Sequence, residues 1–125
     1  MAIEVVVTRR FEADFDRLQK SYPRIGEPVL ELMRRLQAGQ RPGQRLSLSD
    51  YSRKAARRFQ QLAGQLYKVR LPAPSLARGK SGGHRAIYLW QAEKSQCILL
   101  TLYTKAEIAD LSAAELAALL QELSE

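Results

Sequence analysis

The sequence predicts an α+β fold: an N-terminal strand and a helical hairpin, then a mostly antiparallel three-strand meander and a C-terminal helix. Three observations carry that prediction. Apolar residues recur at helical spacing between positions 11 and 36. They alternate with other residues in strand fashion after position 65. They return to helical spacing after a capping box that begins at Ser112. The 125 residues suit one domain covering 1–125, and 46% hydrophobic with 26% charged residues is the composition of a chain that folds.

Ile3–Thr8 is short and rich in β-branched residues, which predicts a strand. Phe11, Phe15 and Leu18 then recur at i, i+4 and i+7 with polar residues between them, giving an amphipathic helix closed by Pro23. On that helix Asp14 and Asp16 fall on different faces and are read as solvated. A second stripe, Ile25, Val29, Leu32, Met33 and Leu36, ends before Gly39. Pro23 and Pro28 leave its start open, because proline is comfortable only in a first turn. Residues 37–47 read as a polar connection marked by Gly and Pro. Over residues 48–63, Tyr51, Ala55, Phe59 and Leu62 fit one side of a short helix, with Arg53, Lys54, Arg57 and Arg58 outside.

From Gln65 the period becomes two, with Leu66, Lys68 and Arg70 on one face and Tyr67, Val69 and Leu71 on the other. Pro72 and Pro74 end that strand, and a loop runs to Gly83. The next strand, His84–Trp90, puts Arg85, Ile87 and Leu89 on one face; Tyr88 and Trp90, on the other, are expected to pack against helices. Gln91–Ser95 is a polar turn, and the nearly continuous apolar run Cys97–Tyr103 predicts a central strand. Ser112 and Glu115 form the capping box, Leu111 and Leu116 the hydrophobic staple, and Leu116, Leu119, Leu120 and Leu123 one apolar stripe.

Cys97 and His84 are the single cysteine and the single histidine. They leave no internal disulfide and no ligand set for a structural zinc site or a His-rich metallohydrolase, so no cofactor is expected. The first ten residues carry no secretory pattern, and no apolar run approaches the ~20 residues of a membrane span. The expected compartment is the cytoplasm, with no membrane partner.

The net charge of +7 is unevenly placed. Residues 41–92 hold eleven Lys or Arg against the single acid Asp50, whereas residues 93–125 carry a net −4. Arg outnumbers Lys 14 to 6, and guanidinium suits bidentate phosphate contact. A clustered cationic centre favours a polyanionic partner; the plain alternative is a solvated basic face.

Gly79-Lys80-Ser81 fails as a P-loop, since position 74 is Pro and a strand follows. Arg78 and Lys80 remain candidates for phosphate contact. Lys68 and Arg70 point the same way along their strand, about 6.6 Å apart, and two core-facing cations are nearly excluded by desolvation. If the next strand pairs with theirs, Arg85 joins them on an open face, a convergence suited to an anion. Tyr103 ends the central strand, where it either stacks on a base or fills the core rim. Lys105 follows it, with Glu107 or Asp110 within reach as a partner. His84 is a minor acid–base candidate, and Cys97 reads as inert core.

Taken together, Leu66–Leu71, then Gly79–Tyr88, then Leu102-Tyr103-Thr104-Lys105-Ala106-Glu107 and Asp110-Leu111-Ser112 resemble the RelE/HigB toxins of type II toxin–antitoxin systems. The motifs span about residues 60–123, and the order of elements resembles the RelE-like fold throughout. The resemblance implies a ribosome-dependent mRNA endonuclease that inhibits translation, with a cognate antitoxin, the ribosome and mRNA as partners. It implies catalytic roles for Lys68, Arg70 and Arg85, with Lys105 beside a further basic position. RelE has an arginine where this chain has Ala106, and a later tyrosine that this chain lacks. Tyr103, Lys105 or Glu107 is then expected to substitute. The HigB-like pattern Tyr-x-Lys-x-Glu matches Tyr103, Lys105 and Glu107, and is the nearer likeness. Nucleic-acid contacts are expected from Arg53, Lys54, Arg57, Arg58, Arg78, Lys80 and His84. Two other functions fit the same fold: a ParE-like inhibitor that binds a topoisomerase, and a relic that binds nucleic acid without cutting it.

Overall fold

The computed structural model describes residues 3–46, 64–72, 83–105, 107 and 111–123. Along the chain it runs β1 (Glu4–Val7), α1 (Arg9–Ser21), α2 (Gly26–Gln37), β2 (Gln44–Arg45), β3 (Gln65–Leu71), β4 (His84–Gln91), β5 (Gln96–Thr104) and α3 (Ala113–Glu122). A short 3-10 turn, Ala92–Lys94, joins β4 to β5. Architecture and sequence expectation agree at this level: α+β, with a helical hairpin before an antiparallel meander. The segment 48–63 lies outside the described residues.

Local chemistry sets the helix limits. Thr8 caps α1 by accepting from the Phe11 N–H at 3.1 Å, and its own hydroxyl donates to the Leu99 carbonyl at 2.9 Å. The cap therefore also ties the helix to β5. Pro28 falls in the first turn of α2, where no N–H is needed, which fixes the start that the prolines left open. Ser112 and Glu115 form both bonds of the capping box that opens α3.

The sheet is mixed, in the order β1-β5-β4-β3-β2. β3, β4 and β5 form the expected antiparallel meander. β1 adds to it in parallel, from Glu4 opposite Gln96 to Val7 opposite Leu99. β2 pairs antiparallel with β3 through Gln44 opposite Lys68 and Arg45 opposite Tyr67, so part of the predicted connection is an edge strand. Gly43 permits that approach: its φ is +98°, and a Cβ there would meet Val69 Cα at 2.9 Å.

Each face of the sheet has its own core. Phe11, Leu18, Val29, Leu32 and Leu36 of the hairpin pack on Val69, Ala86, Tyr88, Leu99 and Leu102. On the reverse face Leu116, Leu119 and Leu120 of α3 pack on Leu66, Ile87, Leu89, Leu100 and Tyr103. Each buried leucine contributes about 1.5–3 kcal/mol of transfer free energy, so that stripe is what holds α3 down. The face read as open is thus covered over its apolar half.

Asp14 corrects a second expectation. It is 5% exposed, not solvated, whereas Asp16 is exposed. Its Oδ2 accepts from the Thr101 hydroxyl at 2.6 Å and the Leu102 N–H at 3.1 Å. These two residues directly follow a β-bulge: Ile87 pairs with Thr101 but Tyr88 pairs with Leu99, leaving Leu100 as the extra residue. Arg10 and Arg17 pair with the same carboxylate from α1. Among the described residues, no helix is long and apolar enough to cross a membrane.

Candidate functional site

The register of three strands decides which of the predicted side chains meet. Arg70 lies directly opposite Arg85, and Arg85 directly opposite Tyr103. Directly opposed residues share a face with Cβ atoms about 4.5–5.5 Å apart, so these three form a row across β3, β4 and β5. Lys68 lies two residues along β3 from Arg70, on the same face and opposite Ile87. The condition placed on Arg85 by the sequence is met: its strand pairs with that of Lys68 and Arg70.

The cluster sits at one end of the face. Towards the other end Leu66 and Leu89 are opposed and lie under α3. Arg70 is exposed, Lys68 half-buried and Arg85 only 5% exposed. Among the described residues neither Arg70 nor Arg85 belongs to an ion pair, and the buried Nη1 of Arg85 has no hydrogen-bond partner. Two guanidinium heads on directly opposed residues repel each other; at a separation of about 6 Å and an effective dielectric near 20 the repulsion would be roughly 3 kcal/mol. A phosphate between them turns that repulsion into two attractions, with bidentate hydrogen bonds added.

The remaining predicted residues divide. Tyr103 is 1% exposed and packs with the leucines of α3, so it belongs to the wall of the cluster and not to a stacking platform. Lys105 is exposed just past β5 and has no ion pair among the described residues. Glu107 is engaged elsewhere: it pairs with Arg17, accepts from the Thr104 N–H and donates its own N–H to the Thr104 hydroxyl. His84 is not brought to this face. It follows the alternation of β4 onto the hairpin side, is 1% exposed, and lies edge-on to Tyr22 at 4.7 Å. Burial lowers its pKa, and the nearby Glu107 carboxylate opposes that shift. Arg53, Lys54, Arg57, Arg58, Arg78 and Lys80 lie outside the described residues.

Cys97 is buried among apolar neighbours, which pushes its thiol up to about 12 and leaves it without thiolate chemistry. Among the described residues no group of three His, Cys, Asp or Glu side chains is placed to hold a metal ion. The residue that sequence reasoning passed over is Asp14. It fixes the bulge in β5 just before Tyr103, and its partners stand 87 and 88 positions away, beyond any local signal. No known protein-family profile matches the chain.

Proposed function

We propose that this chain is a ribosome-dependent mRNA endonuclease of the RelE/HigB kind, restrained by a cognate antitoxin. The observation that carries the reading is the opposed pair Arg70 and Arg85, with Lys68 on the same face. Like charges directly opposed across two strands cost stability, and an anionic ligand offsets that cost.

RNA supplies its own nucleophile. The 2′-oxygen attacks the adjacent phosphorus, the bond from phosphorus to the 5′-oxygen breaks, and a cyclic phosphate and a 5′-hydroxyl result. Arg70 and Arg85 stabilise the charge that gathers on the phosphoryl oxygens in the transition state. Of Lys68 and Lys105, one as the neutral amine takes the proton from the 2′-hydroxyl, and the other as its ammonium gives a proton to the departing 5′-oxygen. Holding the nucleophile in line accounts for much of the acceleration. The surrounding positive charge holds the RNA backbone, so binding weakens steeply with salt.

The test is induction of the chain in growing bacteria, with primer extension on translated messages. Wild type is expected to give cuts within translated frames and to stop growth. Arg70→Ala and Arg85→Ala are each expected to lower cutting at least a hundredfold, on the order of 3 kcal/mol of transition-state stabilisation. Circular dichroism confirms that the variants fold. Undiminished cutting by a folded Arg85→Ala variant refutes the assignment. A DNA-damage response without cuts supports a topoisomerase-binding function instead.

A further inference from the structure

The hairpin carries a second surface, on the side of the sheet away from Arg70 and Arg85. Between α1 and α2 lies a groove of about 500 Å³ whose apolar walls include Phe11, Phe15, Val29 and Met33. Leu30 also lines it and is 55% exposed, the one large apolar side chain left so open among the described residues. The volume falls within the roughly 300–1,000 Å³ of concave ligand sites.

The charge on this groove opposes that of the protein. Its charged lining is Glu12 and Asp16, both exposed, on a chain of net charge +7. Among the described residues neither carboxylate belongs to an ion pair, and Arg10 and Arg17 of the same helix turn to Asp14 and Glu107. The two acids stand one helical turn apart, about 6 Å along the axis.

We propose that the groove receives an amphipathic helix of a partner protein, with its apolar side chains against Phe15, Leu30 and Met33 and its Lys or Arg residues against Glu12 and Asp16. Cations at i and i+4 on the incoming helix match the spacing of the two carboxylates. RNA is disfavoured, since its phosphates would meet carboxylates. A second copy of this chain docked by the same face about a twofold axis is disfavoured as well, since Glu12 and Asp16 would face their own equivalents. This docking surface is independent of the proposed nuclease activity.

The test is selection of displayed random peptides of about 14 residues, or four helical turns, on the full chain, with counter-selection on Leu30→Lys. Leu30 is exposed, so that variant keeps its fold, which circular dichroism verifies. Peptides lost on Leu30→Lys are expected to carry paired Lys or Arg beside an apolar stripe. Their affinity is expected to fall at least tenfold on the double variant Glu12→Gln/Asp16→Asn. Acidic peptides drawn to the basic centre of the chain are expected to bind wild type and Leu30→Lys alike. The proposal is overturned if no peptide distinguishes wild type from Leu30→Lys. It is equally overturned if those that do are acidic or uncharged, or bind the double variant unchanged.

Discussion

Replacing Asp14 by alanine tests how the helical hairpin is fastened to the sheet. The change strands two buried donors, the Thr101 hydroxyl and the Leu102 N–H, which now bond the same carboxylate oxygen. A buried donor left unsatisfied costs about 1–3 kcal/mol, and the hydroxyl can rotate where the backbone N–H cannot. The pair together is worth about 3–4 kcal/mol. The ion pairs to Arg10 and Arg17 add little, because those side chains are 43% and 47% exposed. A loss of this size is a large share of the roughly 5–15 kcal/mol that stabilises a domain. It lowers the thermal midpoint by about 10–15 °C. Urea unfolding of Asp14→Ala beside Asp16→Ala, two positions along the same helix, measures it; Asp16→Ala is expected to change stability by less than ~0.5 kcal/mol. Asp14→Asn keeps one acceptor and is expected to lose about half as much. Adding Thr101→Val to Asp14→Ala removes one stranded donor and is expected to restore about 1 kcal/mol. Equal stability of Asp14→Ala and Asp16→Ala refutes this account of the hairpin's anchorage.

Two further outcomes follow from particular residues. Gly43→Ala is expected to cost more than ~3 kcal/mol by urea unfolding, because a Cβ there meets the backbone of β3, whereas Gly39→Ala costs only the ~1–2 kcal/mol of its left-handed φ of +87° in open space; equal losses would contradict the steric reason for Gly43. His84 has a folded pKa held below its ordinary 6.5 by burial, so the unfolded chain binds more protons as pH falls through that value, and stability drops with it. Glu107 moderates the drop, and His84→Gln is expected to flatten it in unfolding measured from about pH 7.5 to pH 5; identical slopes for the two proteins count against the burial.

Periodicity made the helices and the meander legible because their signals are local. Phe11, Phe15 and Leu18 needed only helical spacing, and the Ser112–Glu115 box announces its helix within four residues. The alternation through Lys68, Arg70 and Arg85 placed these side chains on corresponding faces; their opposition awaited the strand register. What stayed hidden depends on partners far along the chain. β2 is two residues long, too short for any period, and exists through its pairing with Lys68 and Tyr67. Nothing near Asp14 signals a bulge some ninety residues on. The burial of His84 depends on Tyr22, which packs edge-on against it from the end of the hairpin. Tyr103 admitted two readings from sequence; the leucines of α3 decide for the buried one.

Because β1 hydrogen-bonds beside β5, with Glu4 opposite Gln96, β1 has no berth until β5, some ninety residues later, has emerged from the ribosome. The hairpin that follows β1 waits too, since its Thr8 cap and its Asp14 both close on β5. Assembly of this sheet is therefore a late event in synthesis, and loop-closure entropy over some ninety residues sets its pace. The row Arg70, Arg85 and Tyr103 is completed by that same strand, so a half-made chain cannot yet present it.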